Sequence, residues 1–293
     1  MLVAGQAATP PGSLQRGLIA LQQGQLTEAR TALEDASRAA PNNPYVWSSL
    51  AETYLRLEEP AKASTAAETA EKLAGKNQVI HQALGMFYFE YAQRLLRKQD
   101  FTQAANVLDG ALRTHPKDPQ LILALGVARY GQRRFDDAAD RFLQVIQVDP
   151  TIEQPYIFLG RMLDQAGTHL DQITKAYGNW AVRNPQNAQA QMLLAKARLV
   201  NDPKDAEAET LLERSVSLDS SNWEAHYELG VLLAAKRDYR KAVTELSRAS
   251  ELDPKQPMPH YHLARVYDRL GEAELAKAER EAHQALISPI APR

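Results

Sequence analysis

Apolar residues return every three or four positions along most of the chain, and runs with that spacing come in pairs. In the clearest stretch His226, Leu229, Gly230 and Leu233 mark a first stripe, Lys236-Arg237-Asp238 a polar break, and Ala242, Leu246 and Ala249 a second stripe ending at Leu252-Asp253-Pro254. A spacing of three and four puts such residues on one face of an α-helix, so each pair predicts two amphipathic helices joined by a short turn. Proline closes the second helix because it has no N–H to donate and its ring clashes with the preceding turn. The closing position recurs: Pro116, Pro150, Pro185, Ser220 and Pro254 follow one another at 34, 35, 35 and 34 residues, and Pro41 and Gly75 extend the series backwards. A fixed period of that length predicts a solenoid of stacked helical hairpins, each unable to bury its apolar face alone.

The period divides residues 10–290 into eight units that begin near Pro10, Pro44, Gly85, Pro119, Glu153, Ala188, Trp223 and Pro257, with 1–9 and 291–293 as tails. Residues 78–84 are an insertion compatible with helix, which predicts a longer first helix in the third unit. The fifth and sixth units each hold one extra residue, placed in their turns at Gly167-Thr168-His169 and Asn201-Asp202-Pro203. In the fifth, Ile173 and Trp180 stand where small residues are expected, which predicts altered helix angles or a special contact. Trp180 with Tyr177 is there the expected exposed patch for self-association. Gly126 with Ala138, and Gly230 with Ala242, are expected to let paired helices approach closely. In the last unit the second helix is expected over 272–286, with Arg280 and His283 giving it the polar outer face of a terminal cap.

These residues resemble the tetratricopeptide repeat, whose signature is W-x2-L-G-x2-Y, then A-x3-F, then P. Trp47, Leu50, Ala51, Tyr54 and Ala63 match it in the second unit; Leu125, Gly126, Phe135, Ala138, Phe142 and Pro150 in the fourth; His260, Leu263, Ala264, Tyr267, Gly271 and Ala276 in the last. The resemblance implies an all-α fold, an α-solenoid of about eight helix–turn–helix units forming a right-handed superhelix. It further implies that the first helices line a concave groove and that the chain is a non-catalytic scaffold or adaptor binding a peptide or partner protein there. The alternatives are a self-assembling structural repeat protein, or an accessory subunit that positions a substrate for a separate enzyme. One subtype is set aside. Chaperone-tail binders hold a terminal carboxylate with a Lys followed four residues later by Asn on a first helix, and that pair does not occur at those positions here.

On the groove so implied, the fifth position of each unit holds Leu14, Ser48, Phe89, Leu123, Ile157, Met192, Tyr227 and Tyr261. The ninth holds Leu18, Glu52, Gln93, Val127, Arg161, Lys196, Val231 and Arg265. Leu123, Ile157 and Met192 serve equally well as packing between neighbouring first helices. The expected binding residues are therefore Phe89, Arg161, Lys196, Tyr227, Tyr261 and Arg265, since aromatic and arginine side chains anchor interfaces. Such a groove suits a protein or peptide with apolar anchors and some acidic residues.

Composition removes other classes. Lys plus Arg number 34 against 36 Asp plus Glu, and a net charge of −2 lacks the basic field of a nucleic-acid binder. There is no cysteine, so disulfides, thiolate metal sites and thiol nucleophiles are out. No run approaches the ~18 apolar residues of a membrane helix. Phosphate-loop, nucleophile-elbow, H-E-x-x-H and calcium-loop motifs do not occur. His226 and His260 share the repeat position held by Trp47, which predicts packing between helices rather than metal ligation. No catalytic residue, metal or cofactor is expected. Arg133-Arg134 and Lys236-Arg237, at first-helix ends, are read as partners of the helix dipole. The compartment is left open. Gly5-Gln6-Ala7-Ala8 before Thr9-Pro10-Pro11-Gly12 has the look of a cleavage-site tail and linker, which would place an export signal upstream.

Overall fold

The computed structural model describes residues 12–288; the expected tails and the cleavage-site reading lie outside them. Helix follows helix throughout, with no strand among the described residues. The helices are α1 (Ser13–Gln22), α2 (Leu26–Ala39), α3 (Pro44–Arg56), α4 (Pro60–Ala74), α5 (Gln78–Arg97), α6 (Phe101–Ala111), α7 (Pro119–Gly131) and α8 (Phe135–Val148). They continue as α9 (Gln154–Arg161), α10 (Leu170–Arg183), α11 (Ala188–Asn201), α12 (Ala206–Leu218), α13 (Trp223–Ala235), α14 (Tyr239–Leu252), α15 (Pro257–Leu270) and α16 (Ala273–Ile287). Consecutive helices pack as hairpins, among them α1 with α2, α3 with α4, α13 with α14 and α15 with α16. The fold is an all-α solenoid of helical hairpins. It divides into two compact units between Arg141 and Phe142.

Local chemistry sets the boundaries. Asn43, Asp118 and Asn222 precede first helices, and each side chain accepts a hydrogen bond from an N–H of the first turn. Pro44, Pro119 and Pro257 occupy the opening positions, where the missing N–H costs nothing. In six hairpins the first helix ends with one residue in the left-handed region, namely Gly24, Glu58, Gln99, Arg133, Arg237 or Gly271. At Arg237 the φ is 66°, its N–H reaches the Ala234 carbonyl and the next N–H, of Asp238, reaches Leu233. This paired bonding satisfies carbonyls that a helix end leaves open.

In the first unit the core runs from Leu33 to Ala128 and includes Val46, Leu50, Ile80, Leu84, Leu108 and Leu121. Five alanines of α4 (Ala63, Ala66, Ala67, Ala70 and Ala74) are buried, which brings that helix close against its neighbours. The insertion 78–84 is helical and lengthens α5 to 20 residues.

The second unit departs most from the periodic pattern at its start. The helix α9 has 8 residues, and two 3-10 turns, Leu163–Gln165 and Gly167–His169, take the place of its expected end. Tyr177 and Trp180 are buried, not the exposed patch that self-association was expected to use. Trp180 stacks on Tyr156 at 4.4 Å, and the Tyr177 hydroxyl donates to the Tyr156 carbonyl at 2.9 Å. Ile173 and Trp180, both buried at positions where small residues are expected, need room, and the first helix beside them ends early.

A Cβ on Gly230 would meet Leu246 Cγ at 2.6 Å and the Leu246 backbone N at 3.1 Å, so Leu246 is the nearest side chain that this glycine receives. Gly17 receives Leu33 in the same way, at 2.6 Å. In α16 only Ala276 is buried, and Arg280 pairs with Asp268 at 2.9 Å.

Candidate partner-binding site

The expected binding residues fall in different places. Phe89, in the first unit, is half-buried and packs against that unit's core. The other five lie in the second unit, where α13 and α15 bring three of them together. Tyr227 on α13 meets the His262 ring edge-on at 5.6 Å, and Tyr261 on α15 meets the same ring at 5.2 Å. The Arg265 guanidinium lies 5.5 Å from the centre of the Tyr261 ring, a cation–π arrangement. Tyr261 is 40% exposed, and Arg265 is exposed as well. One face of α15 thus offers an aromatic ring and a cation side by side. Burial, followed by the nearby Glu228, pushes the Tyr227 hydroxyl up to about 12, so it remains a neutral donor. Burial, with the Arg265 charge adding to it, holds the His262 ring below its ordinary value and so favours the neutral form.

Lys196 behaves otherwise. Its ammonium lies 2.7 Å from Glu224 and 3.3 Å from Glu228, both on α13. Burial pushes its pKa down, but the two carboxylates outweigh burial and the net direction is upward. Its charge is held inside the fold. The Glu228 carboxyl is pushed up by burial, with Glu224 and Asp164 adding and Lys196 opposing. Arg161 is exposed, with its guanidinium 5.6 Å from the Phe158 ring. Met192 is fully buried, which answers the open reading of that position as packing, while Leu123 and Ile157 are half-buried.

Sequence reasoning missed His262, Glu224, Glu228 and Asp164. Glu224 and Glu228 stand four apart and so share a face of α13. Seeing that Lys196 meets them requires the offset between neighbouring first helices, which the period alone does not give. Among the described residues no group of three His, Asp or Glu side chains could hold a metal ion, and no helix is long and apolar enough to cross a membrane.

Comparison with known proteins gives the following. Tetratricopeptide repeat models match residues 89–155, and residues 20–86 and 204–266. The chain is 24% identical over 272 residues to anaphase-promoting complex subunit 3 of Schizosaccharomyces pombe, covering 92% of this chain and 39% of that protein. It is 28% identical over 126 residues to the cytochrome c-type biogenesis protein CycH of Pseudomonas aeruginosa, covering 43% of this chain and 30% of that one. The chain therefore spans well under half the length of these two relatives. Among solved structures, PilW, a type IV pilus biogenesis factor, superposes with a TM-score of 0.56 at 18% identity, over 68% of this chain and 91% of PilW. Yeast Tom70 superposes with a TM-score of 0.52 at 17% identity, over 98% of this chain and 63% of Tom70. With hairpin geometry, repeat spacing and sequence models in agreement, the chain belongs to the tetratricopeptide-repeat family.

Proposed function

We propose that this chain is a non-catalytic scaffold that binds a segment of a partner protein on the exposed faces of its first helices. The observation that carries this reading is the Tyr227–His262–Tyr261–Arg265 assembly, where half-buried Tyr227 and His262 stand beside exposed Tyr261 and Arg265 on two neighbouring helices. Aromatic and arginine side chains are enriched among the few residues that carry most of the energy at protein interfaces, because they bury large areas and make directed polar contacts. Arg161 is proposed as a peripheral contact within the second unit, and Phe89 as a contact of the first unit taken by itself. Lys196 is proposed as a support for α13, its charge being taken up by Glu224 and Glu228. The sixteen helices are read as eight repeat units. The partner is expected to bring apolar side chains for the tyrosines.

The test is quantitative affinity capture from native extract followed by mass spectrometry, with the parent chain beside a folded Tyr227→Ala/Tyr261→Ala variant. Binding of the specific partner is expected to weaken by about 2 kcal/mol or more. A partner held equally by both chains would remove the site from this face.

A further inference from the structure

Below the aromatic assembly, within the second unit, lies a cleft of about 460 Å³ between α13, the turn after it and α15. Val231, Ala234 and Val266 form apolar parts of its lining. Arg237 enters it from the turn, and Arg265 and Arg269 enter it from successive turns of α15. No carboxylate lines it. The carboxylates next to these arginines in sequence are engaged elsewhere: Asp238 with Lys241 at 3.5 Å and Asp268 with Arg280 at 2.9 Å. Lys236, beside Arg237, is itself paired with Glu209 at 2.6 Å. Among the described residues none of the three arginines has an ion-pair partner.

Three exposed guanidinium groups around one concavity repel one another, and apart from the Arg265–Tyr261 contact no ion pair within the fold offsets that repulsion. Arg237 is costly in a second way. It holds φ at 66°, where the next hairpin has Gly271 at 80°, and a side chain in that region costs about 1 kcal/mol or more. His262, held toward its neutral form by burial and by Arg265, lines the same cleft and adds little charge to the repulsion. The missing element is an outside countercharge. Guanidinium forks match carboxylates by paired hydrogen bonds. The apolar lining favours a peptide, whose carboxylates come interleaved with apolar side chains, over an inorganic anion, which has no use for such a surface.

We propose that this cleft takes the carboxylate side chains of an acidic segment of the partner protein. Arg237, Arg265 and Arg269 grip the carboxylates while apolar side chains of the segment rest on Val231, Ala234 and Val266. The proposal rests on the reading that a partner segment occupies the first-helix face, and it adds the charge of that segment and the residues that read it.

The test uses the full chain and a fluorescein-labelled peptide of alternating Glu and Leu, with its Gln-for-Glu counterpart, followed by fluorescence anisotropy at low salt. The variants are Arg237→Gln/Arg265→Gln/Arg269→Gln and, separately, Tyr227→Ala/Tyr261→Ala, each checked for helix content. Glutamine fits the strained position, since Gln99 holds φ at 58° in an equivalent turn. The acidic peptide is expected to bind the parent chain, to lose about tenfold or more in affinity on the arginine variant, and to weaken with salt. The Gln counterpart is expected to bind the parent no better than the acidic peptide binds the arginine variant. Equal affinity of the acidic peptide for parent and arginine variant overturns the proposal, as does no measurable binding to the parent. Displacement of the peptide by inorganic phosphate or by oligo-dT at equal concentration overturns it too, because the site would then read any anion. Binding that survives the arginine changes but is lost in the tyrosine variant leaves the first-helix reading standing and removes the acidic cleft. Binding lost in the arginine variant alone supports the cleft.

Discussion

Near the start of five first helices, five residues of four kinds face the same acceptor, His81 doing so from the 78–84 insertion. Trp47 Nε1, His81 Nε2, the Tyr156 hydroxyl, the Gln191 amide and His226 Nε2 lie 2.7, 3.0, 3.3, 3.4 and 3.3 Å from the carbonyls of Pro41, Gly75, Pro150, Pro185 and Ser220. Each carbonyl lies six residues earlier, in the turn that joins one hairpin to the next. Several polar groups of that reach serve there, while in the fourth unit the buried, apolar Ile122 holds the position. This is why Trp47 and His226 are equivalent in the sequence, and why the equivalence did not reveal its cause. Glu228 gives the pH prediction at this scale. Its folded pKa is raised, chiefly by burial, so its contribution to stability is present below the ordinary value of 4.5 and is lost as pH rises through the folded value. Glu228→Gln, neutral at every pH, is expected to be more stable than the parent at neutral pH. That advantage is expected to shrink as the medium is acidified toward 4.5. Thermal midpoints across this range check it, and a variant less stable than the parent at neutral pH would show that Lys196 outweighs burial.

Among the elements, the glycines separate two roles. Gly230→Ala places a Cβ against both the side chain and the backbone of Leu246, and is expected to cost about 1–3 kcal/mol through overpacking. Gly178, within α10, has open space around it, so Gly178→Ala is expected to gain about 0.5–1 kcal/mol from helix propensity. Urea midpoints of the two variants should move in opposite directions. The helices themselves were largely legible: α3, α7, α11, α13 and α15 begin on the residues where the period placed first helices. The early end of α9 was not. Ile173 and Trp180 announced a disturbance in the sequence, but the shortened helix and the stacked Tyr156–Trp180 pair depend on which side yields, and that is settled by packing in three dimensions. The charged neighbours of Lys196 were hidden for a related reason, since they belong to the next hairpin.

For the whole molecule, stacking implies that damage spreads from neighbour to neighbour rather than everywhere at once. Leu50→Ala removes a buried side chain from the first unit's core and is expected to cost about 2–5 kcal/mol there. Hydrogen exchange followed by mass spectrometry should then show faster exchange in α3, α4 and α5, while α13 to α16 keep the protection of the parent chain. Equal loss of protection in all these helices would mean one cooperative body. The left-handed turn has a further consequence at this scale. The same backbone closes hairpins whose turn residue is Gly24, Glu58, Gln99, Arg133, Arg237 or Gly271, so the turn admits several side chains, each at a cost of about 1 kcal/mol or more relative to glycine. Glu58 lines a cleft in the first unit and Arg237 one in the second. Charge can therefore be changed at the turn socket of each of these six hairpins while the helices on either side keep their register.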